Sequence, residues 1–410
     1  MKHYIFSKSD LNLNANTKSK DTQVFNYRDN LHINSLIDGV DSLLKIYSDQ
    51  TSSFYKSKDV KLEIGKVFDA MHSFISKRSV NNQVLQQCLQ GCVECARNYI
   101  FDYFIHNVDK QTKYKKSANN LYSNEKLKDL ELNGYVEYFI ENTELFESES
   151  QLLLDYARSH YREKDDWRSS GFMDPSTFHE SKIFKLIQEF IDKNRIFEMV
   201  SDYMDSNLEL AWAFPNYSHH RQQWFRIQDQ ETISPTNYYH IDKDRNMIKI
   251  LIYLTDVNDE DGPFKYVKGS NLWKKSICTF ALHYGIDFKV NKLLIGKESN
   301  FKNNIFTTRA DILSEFPDAF VGSTHFGDFL QRNSDTTKLL LDESVVFTRK
   351  RGTLIIFDGG MGVHAGGNAH GGERLAIQIG YRKKLTTKRD ILKQTKELAR
   401  KIKHKVASFN

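Results

Sequence analysis

The stretch NYYHIDKDRNMIKILIYLTDVNDEDGPFKYVKGSN, residues 237–271, decides the fold, and it makes chemical sense only beside RGTLIIFDGGMGVHAGGNAHGGERLAIQIGYR, residues 351–382. In the first, His240 and Asp242 stand two apart, ahead of a run of β-formers: Ile248, Ile250, Leu251, Ile252 and Tyr253. Side chains two apart on an extended chain point to one face, so an imidazole and a carboxylate are aimed at one point. In the second, His364 follows an apolar strand at 353–357 and a glycine-rich turn, where it can supply a third ligand from across a barrel. Two histidines and one carboxylate on one face of an ion leave three positions open, the arrangement that suits non-haem Fe(II) activating O2.

An H-x-D triplet alone is weak, since about one is expected by chance in a chain of this composition. Its company is more informative. Arg374 lies ten residues after His364 and opens the strand RLAIQIGYR, where Arg374, Ala376 and Gln378 share one face and Leu375, Ile377 and Ile379 the other. A guanidinium inside a barrel is costly unless it meets an anion, and a carboxylate bound bidentately is its natural partner. The competing reading is a structural arginine paired with a nearby Asp or Glu.

Together these features resemble the phytanoyl-CoA dioxygenase family of Fe(II)/2-oxoglutarate oxygenases. The resemblance is carried by H-x-D, the turn D-G-P-F-x-Y-V-x-G-S-N at 261–271, the run G-T-L-I-I-F-D-G-G at 352–360, and a distal histidine with a following arginine. Where the family's turn reads Pro-Gly-Ser-His, this chain has Lys268 for the proline and Asn271 for the histidine. The resemblance implies an α+β fold with a mainly β core: a double-stranded β-helix, or jelly-roll barrel, flanked by helices. It implies His240, Asp242 and His364 as iron ligands and Arg374 as the clamp on the far carboxylate of 2-oxoglutarate. The implied activity consumes O2 and 2-oxoglutarate, releases succinate and CO2, and hydroxylates a C–H bond of a small metabolite or biosynthetic intermediate. A carboxylate at position 242 favours hydroxylation over halogenation, which needs that coordination site for halide.

Three other readings stay open at this stage. A JmjC-like protein hydroxylase or demethylase uses the same triad but grips the cosubstrate with a lysine, for which Lys249 is available. A metal-binding barrel without catalysis would serve as a binding protein. A cupin-like barrel with another divalent metal would leave Arg374 without a special role.

At 410 residues, with five prolines and no low-complexity run, the chain can bury a large domain plus an extension. The expected division is a helical N-terminal extension (1–122), an oxygenase domain (123–385) with an insertion at 272–341 that covers the barrel mouth as a lid, and a C-terminal helix (386–410). Helices are expected at 30–48, 60–76, 81–108, 144–162 and 180–206 from the spacing of apolar residues. A short strand is expected just after Gly134 and Tyr135, and further strands at 208–214 and 221–228. On the last of these Gln222, Trp224, Arg226 and Gln228 share a face, and Arg226 is the best candidate for a further contact to cosubstrate or substrate.

Cys88, Cys92 and Cys95 have the C-x3-C-x2-C spacing of a radical iron–sulfur site, but at i, i+4 and i+7 they fall on the apolar stripe of one helix. Core packing of free thiols is the favoured reading. No apolar run is long enough to cross a membrane, and the first residues carry no secretory h-region, so a cytoplasmic enzyme is expected. From Arg382 onward the net charge is +9, against +5 for the whole chain. That basic amphipathic helix is expected to dock on its own domain with a solvated face; an anionic surface or partner is the alternative, and no nucleic-acid substrate is inferred.

Overall fold

The computed structural model describes residues 58–77, 83–108, 124–160, 173, 175–219, 225–227, 230–232, 239–242, 244–273, 280–286, 288–289, 312–313, 315–316, 335–367, 369 and 371–384. The helices expected at 30–48 and 386–410, and most of the 272–341 insertion, lie outside these residues.

The alternating residues of the two signature stretches build the larger of two sheets. In β5 (Met247–Tyr253), Ile248, Ile250 and Ile252 join a core shared with helices, while Leu251 and Tyr253 face a separate inner cluster. The same split runs through β8 (Thr353–Phe357) and β10 (Glu373–Lys383): Leu354, Ile356, Leu375, Ile377 and Ile379 meet the helices, and Ile355, Phe357 and Ala376 face inward. These strands lie in one antiparallel sheet of order β1-β8-β5-β10-β2, with β1 at Tyr135–Phe139 and β2 at Leu208–His219. The smaller sheet has the order β7-β6-β9, formed by Ser344–Val346, Lys265–Val267 and His364–Ala365. A bridge between His240 and His364 adds one more rung at the β9 side. Two antiparallel sheets enclosing an inner cluster make the jelly-roll core.

Five helices cover the outer face of the large sheet: α3 (Asn124–Asn133), α4 (Glu144–His160), α5 (Pro175–Glu180), α6 (Lys182–Lys193) and α7 (Ile196–Tyr203). In α6 the buried residues Ile183, Phe184, Ile187 and Ile191 form one stripe, and the Ser181 side chain caps the helix by accepting from the Phe184 amide. The single helix expected at 180–206 is thus divided. Asn194 closes α6, and Arg195 takes a left-handed conformation (φ 52°) that ends the ladder before α7 begins.

Strand β2 runs past its expected end at Phe214, through Pro215 to His219. It can do so because it is an edge strand, where a missing N–H need not break a ladder. The strand expected at 221–228 is described only as β3 (Phe225–Ile227), which pairs with β4 (Gln230–Thr232) in a two-stranded ribbon belonging to neither sheet.

The N-terminal helices α1 (Lys58–Lys77) and α2 (Gln83–Val108) pack on the insertion. Phe68, Met71, Cys88, Cys92, Val93 and Ala96 share one core with Ala281, Leu282, Ile286, Leu313 and Phe316. Cys88 and Cys92 are buried there and Cys95 is half-buried, as their place on the apolar stripe predicts. Val267, on the small sheet, and Val363, just before β9, belong to the same core, so extension, insertion and the segment leading to His364 are held together. The closest approach is at Gly285, where a Cβ would lie 2.3 Å from the Cys92 carbonyl oxygen and 3.1 Å from the Ala96 amide. Gly285→Val is therefore expected to cost at least ~2 kcal/mol in chemical denaturation, because backbone atoms of α2 cannot yield. Gly91→Ala is the control: the atoms nearest its methyl belong to the flexible Lys289 side chain, and it should cost far less.

Candidate active site

The loop after the His240 bridge and the loop after β8 are laced together by backbone hydrogen bonds. The His240 amide donates to the His364 carbonyl (2.8 Å), the His364 amide returns the bond (2.9 Å), and the Asp242 amide donates to Gly359 (2.8 Å). Residues more than a hundred positions apart are thereby brought to one place, and His240, Asp242 and His364 each offer a ligand atom within 4.8 Å of the others. His240 Nε2 is 3.9 Å from Asp242 Oδ1, and His364 Nε2 is 3.5 Å from Asp242 Oδ2. Among the described residues this is the one His/Cys/Asp/Glu group able to hold a metal ion.

The residues fit a divalent ion. His364 Nδ1 lies 3.1 Å from the Gly362 carbonyl, which draws the ring proton to that nitrogen and leaves the Nε2 lone pair for a metal. Burial drives the His364 imidazole down to about 3, so it is neutral at physiological pH. Burial is the largest single influence on the Asp242 carboxyl and would raise it, but the Lys249 ammonium together with the two histidines outweighs it, and the group stays ionised, held down at about 2. Asp242 Oδ2 is buried and accepts no hydrogen bond of good geometry; Lys249 Nζ approaches it at 2.7 Å as an ion pair. A cradle for this carboxylate exists at Gly359, where a Cβ would stand 2.1 Å from Asp242 Oδ2 and 3.2 Å from His364 Cε1.

The loop carrying His364 is pinned by groups that motif reading passed over. Tyr203 donates to Asp358 Oδ2 (2.7 Å), the Met361 amide donates to Asp358 Oδ1 (2.9 Å), and Tyr266 donates to the Asp358 carbonyl (3.1 Å). Ser270, from the Gly-Ser-Asn turn, accepts from the Val363 amide at 2.8 Å. Asn271, which stands where the family's turn has histidine, donates instead to the Glu131 carbonyl at the end of α3. The signal for these roles was present in the D-G-G that follows an apolar strand and in the serine of the turn, but neither names its partner.

Arg374, the second residue of β10, lies on the inner face, 8% exposed. Its guanidinium donates to the Gly262 carbonyl and lies 3.5 Å from Ser218 Oγ. No carboxylate among the described residues lies within ion-pairing distance of it. Burial pulls its pKa below the ordinary arginine value, and the neighbouring Tyr253 hydroxyl opposes that shift. Lys249 faces Gly380 across the sheet, six residues from Arg374, or about 20 Å along the strand. The structure thus places Lys249 at the metal-ligand end, on Asp242, and Arg374 at the other. Arg226 lies on β3 in register with Glu231, in the ribbon outside both sheets.

The phytanoyl-CoA dioxygenase (PhyH) profile matches residues 142–374. The chain belongs to this family. The PhyH match takes in the whole triad and ends on Arg374. Similar solved structures are EctD from S. alaskensis with 2-oxoglutarate and 5-hydroxyectoine (11% identity, 66% of this chain and 80% of that one, TM-score 0.37) and HygX from Streptomyces hygroscopicus with nickel and 2-oxoglutarate (14%, 65% and 88%, 0.36). Another is the non-haem α-ketoglutarate-dependent carbocyclase SnoK from nogalamycin biosynthesis (12% identity, 64% of this chain and 85% of that one, TM-score 0.35). No curated protein matches the chain in sequence. No helix among the described residues is long and apolar enough to cross a membrane.

Proposed function

We propose that this PhyH-family protein is an Fe(II)- and 2-oxoglutarate-dependent oxygenase that hydroxylates a C–H bond of a small metabolite or biosynthetic intermediate. The observation that carries the reading is a three-atom facial donor set in the same lumen as a buried arginine that has no acidic partner among the described residues. His240, Asp242 and His364 would hold Fe(II), and Arg374 would take the far carboxylate of 2-oxoglutarate. Iron so bound, with 2-oxoglutarate and O2, supplies oxidising power for C–H hydroxylation as the cosubstrate becomes succinate and CO2. Leu251, Ile355, Phe357 and Ala376 keep the lumen between the two anchors apolar, which strengthens both charge interactions by excluding water. The insertion, which shares a core with the N-terminal helices and with Val363 beside His364, would act as the lid that selects substrate, and Arg226 would be a further contact. Arg245 joins lid and site: its guanidinium lies 4.2 Å over the Phe280 ring and 3.1 Å from Met361 Sδ.

The test is an anaerobic titration of the purified protein with Fe(II) and 2-oxoglutarate, watching for the visible charge-transfer band of the chelate. A band in the wild type that is absent in His364→Ala is expected. Folded protein that binds metal but shows no band would end the oxygenase reading.

A further inference from the structure

We propose that Lys249 couples metal loading to cosubstrate loading: its ammonium holds Asp242 before metal arrives, then turns to a carboxylate anion beside the bound metal. This role rests on the function proposed above. Lys249 projects from β5 into the lumen, with its side chain 19% exposed and its Nζ 2.7 Å from Asp242 Oδ2. Asp242 is the one acid it pairs with among the described residues. The Trp212 ring, 5.8 Å from Nζ, flanks the ammonium on another side. That indole is seated against Gly380, whose Cβ would come within 2.5 Å of it. The ammonium is therefore confined to the neighbourhood of the ligand carboxylate. A divalent ion at an ordinary bonding distance of about 2 Å from Oδ2 would stand within about 5 Å of Nζ. Two cations that close repel, and the metal takes the electron density on which Lys249 depends. The nearby lumen residues Leu251, Ile355 and Phe357 give the ammonium no replacement. The metal-side carboxylate of a 2-oxo acid does. Metal and 2-oxo acid then each improve the other's binding, and the coupling is reciprocal.

The experiment titrates Mn(II) into metal-free, full-length protein by EPR, with and without 2-oxoglutarate, so that no turnover is needed. In the wild type 2-oxoglutarate is expected to tighten Mn(II) binding by about tenfold or more. In Lys249→Met, Mn(II) alone should bind about tenfold tighter than in wild type, and the gain from 2-oxoglutarate should shrink to about threefold or less. Lys249→Arg keeps the charge and should keep the coupling. Weaker Mn(II) binding in Lys249→Met with the coupling intact would overturn the proposal and leave Lys249 as a fixed prop for Asp242. If the wild type binds neither Mn(II) nor 2-oxoglutarate, the underlying oxygenase reading falls, and this role with it.

Discussion

Gly359→Ala is expected to lower metal affinity at least ~100-fold while leaving the protein folded, a larger effect than the 10- to 100-fold typical of changes around a metal's ligands. The backbone at Gly359 is not in the left-handed region, so alanine meets no conformational penalty there. The cost is local and steric. The added methyl would occupy the space of Asp242 Oδ2, 2.1 Å away, and crowd His364 Cε1 at 3.2 Å. Asp242 must then turn away, because its amide is tied to the Gly359 carbonyl and its backbone cannot retreat without breaking that bond. The double-mutant cycle with Asp242→Ala distinguishes this cause from a general loosening. If the methyl acts by displacing the carboxylate, Gly359→Ala should add almost nothing in the Asp242→Ala background. Isothermal titration with Mn(II), beside a thermal melt of each variant, reads both quantities. Metal affinity in Gly359→Ala within a few-fold of wild type would mean that the carboxylate is not held where the structure places it.

Both glycine arguments concern close approach, a property the sequence does not announce. His240 and Asp242 could be read from period-two spacing, and Arg374 from the face it shares with Ala376 and Gln378, because both rules are local. The cysteines of α2 were legible for the same reason: their spacing matches a helical stripe before it matches anything else. Asp358 was not legible, since its partners Tyr203 and Tyr266 come from a distant helix and strand. The role of Lys249 was half legible. Its inward direction follows from alternation with Ile248 and Ile250, but its partner depends on where the loop after β8 presses Asp242. Beyond reach altogether was the shared core of the N-terminal helices and the insertion, each of which shows an apolar face and neither of which names the other. The strand read at 221–228 is a strand where it is described, at 225–227, but it pairs in a two-stranded ribbon and not in either sheet. Alternating polarity is satisfied as well by a short ribbon as by a barrel strand, and period alone does not choose between them.

Arg374→Ala is expected to weaken 2-oxoglutarate binding at least ~100-fold, about 2.7 kcal/mol, which is what a charge-assisted bidentate interaction is worth in a dry site. The informative companion is stability. An arginine kept for structure is paired, and deleting one partner of a buried pair costs about 3–5 kcal/mol because the other charge is stranded. Arg374 has no such acid among the described residues; it leans on the Gly262 carbonyl, Ser218 and the Tyr253 hydroxyl. Its removal leaves a cavity and an unsatisfied carbonyl but also relieves a buried charge that burial already disfavours. Those effects oppose one another, so metal-free Arg374→Ala should unfold within about 1 kcal/mol of wild type. Denaturant melts of the two proteins, paired with 2-oxoglutarate titrations at saturating Mn(II), separate the possibilities. Weakened affinity with unchanged stability assigns the guanidinium to the cosubstrate. A drop of more than about 3 kcal/mol in stability would assign it to the fold instead, and a partner such as Asp261, whose carboxylate already caps the Asn258 and Glu373 amides close by, would be its reason for being there.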